Sequence, residues 1–261
     1  MILSAAIPPP RPTPIQLADA PAVARAVADL LWAELARGRL RRPLGLATGR
    51  TMEPVYAALV ERCRAASSVE LQALRQHWLS FNLDEYVGLP SSDPRSFAAF
   101  MRTRLGEPLG LEDTQLRLPN ALAHDPRAEA RRYAAAVARC GGIGLQLLGL
   151  GLNGHVGFNE PPCGPEAACR CVRLSAITRR QNAAAFGGDP QAVPLRAITL
   201  GMAEILAAQR IVLVVTGAAK APVLHRLLTE PPSPDLPASW LKRHAAVTVV
   251  ADRAALPDPP D

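Results

Sequence analysis

Short apolar segments alternate with helical ones along most of the chain, and this alternation constrains the fold more than any other feature. A helix with an apolar face is predicted to begin at the capping residue Asp19. Strands that alternate with helices form parallel βα units, so the sequence predicts an α/β fold with a mostly parallel sheet covered on both faces. The predicted strands occupy residues 44–47, 78–83, 144–150, 211–215 and 247–251.

The chain has 261 residues, a length that suits one large α/β domain. We expect a single domain over residues 19–261. The proline-rich residues 1–18 are expected to form an irregular N-terminal lead-in.

Composition excludes several classes of partner. The formal charge is +6, but the arginines that supply it are scattered, and only two of the 29 basic residues are lysines. We therefore expect no nucleic-acid partner. The chain contains no run of 18 or more apolar residues, the length that a membrane-spanning helix needs. Arg11 follows the first apolar stretch, whereas a signal peptide has its positive charge first, so a cytoplasmic location is expected.

The five cysteines predict neither a disulfide framework nor a metal site. Their number is odd, and no second pair lies at zinc-finger spacing.

Glycine-containing polar segments follow three of the predicted strands, at 48–51, 151–160 and 216–220. Ligands of parallel sheets bind beyond the carboxyl ends of the strands. Gly49 and Thr51 could hold an anion at a helix N-terminus, and Lys220 adds a cation to a second loop of the same design. An ordinary turn and a solvated lysine remain the alternatives.

Acid–base groups occur in two places. Asp84 and Glu85 follow a predicted strand, point to opposite sides, and so would serve different purposes. Asp84 could abstract a proton next to a carbonyl, the alternative being a loop cap. His155 lies in a glycine-rich loop, where Glu160 could orient its imidazole, although a lone histidine is often structural.

Several collinear segments resemble signatures of the glucosamine-6-phosphate deaminase family. The resemblance covers about residues 20–253 and rests on residues 46–51, 81–89, 150–161, 186–190, 193–194, 214–221 and 236–244.

The resemblance implies a doubly wound, Rossmann-like three-layer α/β sandwich that acts without a metal or other cofactor. It implies that glucosamine 6-phosphate and water are converted to fructose 6-phosphate and ammonia. By position, Asp84 resembles the base that moves a proton between C2 and C1, and His155 with Glu160 resembles the group that opens the sugar ring. Gly49, Thr51 and Lys220 resemble phosphate ligands.

We place Asn153 with the catalytic residues, at a position where many members of the family have Asp. Glu85 and Arg50 are placed with the substrate ligands. Ala184 stands where the family usually has an arginine, and Arg50 replaces a small residue in the phosphate loop. We therefore expect Arg50 to supply the missing cation, because its guanidinium can grip two phosphate oxygens.

Two alternatives belong to other classes. A 6-phosphogluconolactonase has the same fold but typically carries Asp-Glu-Arg where this chain has 84–86. A phosphosugar-binding protein without catalysis would keep the pocket and release no ammonia. The sequence leaves open whether the substrate is gluco- or galacto-configured, the oligomeric state, and whether an effector binds.

Overall fold

A parallel sheet runs through the computed structural model, which describes residues 13–36 and 42–256. In these ranges, the strands in chain order are β1 (Ile15–Leu17), β2 (Leu44–Leu46), β3 (Ser80–Asn82), β4 (Asp84–Tyr86), β5 (Leu116–Arg117), β6 (Leu145–Gly149), β7 (Arg170–Arg173), β8 (Arg196–Thr199), β9 (Arg210–Val215) and β10 (Val247–Asp252).

Seven strands form the central sheet in the order β1-β10-β9-β6-β2-β3-β5, and all neighbours are parallel. The chain winds outward from β2 through β3 to β5, returns to β6, and winds the other way to β10. The reversal between β2 and β6 is a topological switch point, where such sheets open a crevice for ligands. The predicted doubly wound, mostly parallel α/β fold is confirmed.

Helices pack on the sheet as α1 (Ala20–Ala36), α2 (Met52–Arg64), α3 (Ser68–His77), α4 (Phe97–Met101), α5 (Glu107–Leu109), α6 (Pro126–Arg139), α7 (Ala176–Asn182), α8 (Met202–Leu206) and α9 (Ala221–Thr229). A π-helical segment, Arg102–Gly106, joins α4 to α5. None of the described helices is long and apolar enough to cross a membrane.

The N-terminal prediction was partly wrong. Residues 15–17 form β1, which pairs in parallel with β10 at the sheet edge, whereas residues 1–12 lie outside the described ranges. The predicted cap is confirmed, because the Asp19 carboxylate accepts a hydrogen bond of 2.8 Å from the Ala22 amide at the start of α1.

A second, smaller sheet accounts for the segment that follows β3. Asp84–Tyr86 is a strand rather than a loop, and it pairs antiparallel with β8, which pairs with β7. A separate apolar cluster packs on this sheet around Tyr86, Phe158 and Phe186. The small sheet thereby holds the residues after β3 against the carboxyl ends of the central strands.

Candidate active site

A pocket of about 370 Å³ lies at the switch point. Its wall is built from the loops after β2 and β6, from β4, and from the turn before α9. Six of the nine predicted site residues line it: Gly49, Arg50, Thr51, Asp84, His155 and Lys220.

One end of the pocket is positively charged. Thr51 is the residue before the first turn of α2, so the loop of Gly49 and Arg50 lies at a helix N-terminus. Burial lowers the pKa of Lys220, and the Arg50 guanidinium lowers it further. No salt bridge involves either cation within the described ranges. Two neighbouring cations beside a helix N-terminus form a site suited to a dianion such as a phosphate.

Asp84 supplies a carboxyl group from β4. It is only 5% exposed, and burial and the nearby Glu85 carboxylate together raise the pKa of Asp84 to about 8. No hydrogen bond to its carboxyl oxygens is found among the described residues. A carboxyl group held in this way near neutrality can exchange a proton with a bound carbon acid.

His155 lies over Gly151 in the loop after β6. Its Nδ1 is 2.5 Å from Oδ1 of Asn153, and the His155 backbone amide points at the same oxygen at 3.4 Å. The Asn153 side-chain oxygen accepts both contacts. Nδ1 of His155 therefore carries the proton, and Nε2 is left as an acceptor. Burial lowers the pKa of His155 to about 4, so the ring is neutral at pH 7.

The structure does not place the Glu160 carboxylate in hydrogen-bond contact with His155, although the Glu160 charge raises the pKa of His155 against the larger effect of burial. Its carboxylate accepts hydrogen bonds from the Ser175 amide at 2.9 Å, the Ser175 hydroxyl at 2.5 Å and the Thr178 hydroxyl. Glu160 therefore holds the start of α7, and Asn153 orients the imidazole. Neither Glu160 nor Asn153 is among the residues that line the pocket in the described ranges.

The structure turns Glu85, which was predicted as a substrate ligand, away from this pocket. Glu85 is 1% exposed, and its carboxylate accepts hydrogen bonds from the amides of Tyr86, Phe97 and Ala98. Burial raises the pKa of Glu85 to about 7 against the opposing effect of these amides. Because adjacent strand residues point to opposite faces, Asp84 turns into the pocket and Glu85 turns away to cap α4.

One wall of the pocket, formed by aromatic side chains and the amide side chain of Asn182, was not predicted from the sequence. Tyr86, Phe97 and Phe158 pack together along the pocket, and the Asn182 side chain lies beside the Tyr86 hydroxyl. The two-residue repeat of a β-strand could have predicted Tyr86, because Tyr86 lies two residues beyond Asp84 and so on the same face of the strand. Asn182 comes from a distant segment and left no local signal.

Metal ligands are not gathered at the pocket. No group of three or more His, Cys, Asp or Glu side chains that could hold a metal ion occurs in the described part of the chain. All five cysteines are free thiols.

Burial of Asp84 should make the protein less stable as the pH rises. Because the pKa of Asp84 is raised in the folded state, the folded protein binds the proton more tightly, and stability falls between about pH 4 and pH 8. Relative to Asp84→Asn, the wild type should lose free energy of unfolding on the order of a few kcal/mol across this window. Urea unfolding at pH 5, 7 and 9 measures the difference.

The exposed carboxylate of Asp29 on α1 provides the control. Asp29→Asn should follow the wild-type pH dependence. Parallel stability curves for Asp84→Asn and the wild type would show that Asp84 titrates normally in the folded protein.

A family profile and a search for relatives both match this chain to the same group of sugar-phosphate enzymes. The profile of the family described as glucosamine-6-phosphate isomerases/6-phosphogluconolactonase matches residues 18–250. A glucosamine-6-phosphate deaminase from Rhodopirellula baltica is 44% identical over 212 residues, which cover 81% of this chain and 82% of that protein.

Solved structures share the fold. A monomeric glucosamine-6-phosphate deaminase superposes with a TM-score of 0.86 at 35% identity, over 92% of this chain and 97% of that one. A 6-phosphogluconolactonase from Trypanosoma cruzi reaches a TM-score of 0.73 at 18% identity, over 95% of this chain and 97% of that one. At that identity the second likeness concerns the fold alone.

Proposed function

The chain belongs to the family of glucosamine-6-phosphate isomerases and 6-phosphogluconolactonases, and we propose that it acts there as a glucosamine-6-phosphate deaminase. It converts glucosamine 6-phosphate and water to fructose 6-phosphate and ammonia. The observation that carries the proposal is that Asp84, His155 and Lys220, from three distant segments, line one pocket at the switch point.

The positive end of the pocket fixes the substrate. The phosphate lies against the loop of Gly49 and Thr51 and is neutralised by Lys220 and Arg50. This placement directs the sugar carbons toward Asp84 and His155. The doubly charged phosphate does not cross a bilayer, so we place the enzyme in the cytoplasm with its substrate.

Ring opening requires that a proton leave the C1 hydroxyl and that one reach the ring oxygen. Neutral His155 presents the Nε2 lone pair, takes the proton from the C1 hydroxyl and delivers it to the ring oxygen. Asn153 holds the ring in the tautomer that this transfer needs.

Isomerisation follows in the open chain. Ionised Asp84 removes the proton from C2, which is acidic because the C1 aldehyde lies next to it, and the C1 oxygen takes a proton from the substrate's own C2 ammonium group, so that an enolamine forms. Asp84 returns the C2 proton to C1, and C2 becomes an iminium carbon. Water adds to C2, ammonia leaves, and the ketone of fructose 6-phosphate remains.

A substrate panel tests this assignment against its closest rival. Purified protein is assayed with glucosamine 6-phosphate, galactosamine 6-phosphate and 6-phosphogluconolactone. Ammonia release from a hexosamine 6-phosphate is expected, with the lactone hydrolysed no faster than in buffer. Rapid lactone hydrolysis without ammonia release would assign the pocket to lactonase chemistry.

Arg50 should carry part of the phosphate affinity. It is an exposed residue at the helix N-terminus beside Lys220, and Ala184 lines the same pocket without a charge. Arg50→Ser should raise KM by about 10- to 100-fold with little change in kcat, which corresponds to about 1.5–3 kcal/mol for hydrogen bonds to a charged group. Steady-state kinetics measure both constants.

The double variant Arg50→Ser/Ala184→Arg should recover much of the lost affinity. Arg95 gives a matched control, because it also lines the pocket but is bound to the Asp93 carboxylate. Arg95→Ser should change KM far less. An unchanged KM in Arg50→Ser would remove Arg50 from the phosphate site.

A further inference from the structure

Two buried tyrosine hydroxyls contact backbone carbonyls beside the active site. Tyr56 on α2 is fully buried and donates to the Ala47 carbonyl at 2.5 Å. Tyr133 on α6 is 1% exposed, and its hydroxyl lies 2.8 Å from the Asn82 carbonyl and 3.0 Å from the Arg117 carbonyl. Each hydroxyl thus meets the chain where a central strand ends.

The position of these carbonyls explains why they need a side-chain donor. The β2–β3 ladder ends at the pair Leu46 and Asn82, and the β3–β5 ladder ends at Phe81 and Arg117. Beyond these pairs the chain leaves the sheet in a buried region. A buried carbonyl without a donor is costly, so a hydroxyl from a covering helix takes the place of the missing ladder bond.

The two carbonyls belong to different halves of the site. Ala47 directly precedes the loop of Thr48 to Thr51, which forms the positive end of the pocket. Asn82 ends β3, and two residues later Asp84 begins β4, the strand that presents the carboxyl group. Neither tyrosine is among the described residues that line the pocket, so each would act through the backbone.

We propose that Tyr56 and Tyr133 are positioning residues with separate tasks: Tyr56 sets the phosphate loop, and Tyr133 sets the strand end that aims Asp84. The inference rests on the proposed function, because it takes KM to report phosphate binding and kcat to report proton transfer by Asp84. Burial raises the pKa of both phenols, so both hydroxyls stay protonated donors at any working pH.

The test compares Tyr56→Phe with Tyr133→Phe, and each variant is the control for the other. Both changes remove one oxygen and keep the ring, so core packing is retained. Tyr56→Phe should raise KM about tenfold with kcat within about twofold of wild type. Tyr133→Phe should lower kcat about tenfold with KM within about twofold, because a base displaced slightly loses its alignment.

Binding of inorganic phosphate, measured by calorimetry, supplies a readout that needs no turnover. Tyr56→Phe should weaken phosphate binding about tenfold, whereas Tyr133→Phe should bind phosphate as the wild type does. 4-Aminophenylalanine at position 56, which keeps a donor, should restore the affinity. If Tyr56→Phe fails to fold, Tyr133→Phe still tests the proposal. A loss of kcat with unchanged phosphate affinity in Tyr133→Phe would support it, and unchanged kcat would overturn it.

The outcomes separate the two proposals. Changes of the same size in both constants for both variants would overturn the division of tasks and leave the tyrosines as general supports of the core. A wild-type protein that binds phosphate but releases no ammonia would instead overturn the proposed function.

Discussion

Replacing Asp84 with Asn is expected to lower kcat by about a hundredfold or more and to leave KM nearly unchanged. The amide has almost the same shape, but it cannot accept the C2 proton, and loss of a general base costs about two to four orders of magnitude. Because no described residue donates a hydrogen bond to the Asp84 carboxyl, the substitution breaks no hydrogen bond that supports the fold.

Stability and binding measurements make this prediction specific. Asp84→Asn should be at least as stable as the wild type at pH 8, since the buried charge is gone. Its affinity for inorganic phosphate should match that of the wild type. Turnover within a few-fold of wild type would remove Asp84 from the role of base.

Gly151→Ala is expected to reduce kcat/KM by about a hundredfold. A Cβ atom at this position would lie 2.2 Å from Cε1 and 2.4 Å from Nε2 of His155. The ring cannot slide away freely, because Nδ1 is bound to Asn153. The methyl group must therefore displace the imidazole, and a displacement of about 1 Å in a reacting group costs about a hundredfold.

Gly149→Ala offers a matched control. Gly149 also lines the pocket, but a Cβ there would meet only Cε of Met52 at 3.6 Å, an ordinary contact. Its activity should stay within a few-fold of wild type. In a double-mutant cycle, Gly151→Ala should add little to His155→Ala, because both remove the same group. Full additivity would show that Gly151 acts independently of His155.

The fold could be predicted because its signal is local. The β-branched segment of β9, for instance, is buried along Ile211–Val215 as an interior parallel strand requires. β1 was missed because three residues after a proline-rich stretch carry little signal, and their pairing with β10 depends on the opposite end of the chain. The resemblance to a family, by contrast, correctly indicated the doubly wound topology.

The errors at the site also have a physical cause. Two of the three amide donors to Glu85 lie 12 and 13 residues further along, and the donors to Glu160 lie 15 and 18 residues further along. A carboxylate used as a helix cap over such separations looks in the sequence like a catalytic one. The residues that do line the pocket were predicted because they follow strand ends, where topology alone directs them to one place.

The central claim is tested most directly by measuring both products of glucosamine 6-phosphate with purified wild-type protein. Ammonia and fructose 6-phosphate are quantified in the same reaction by separate coupled assays, with Asp84→Asn as the control. The account predicts that the two products form in equal amounts and that both are lost in the variant. It would be contradicted by a wild-type protein that binds the sugar phosphate and forms neither product.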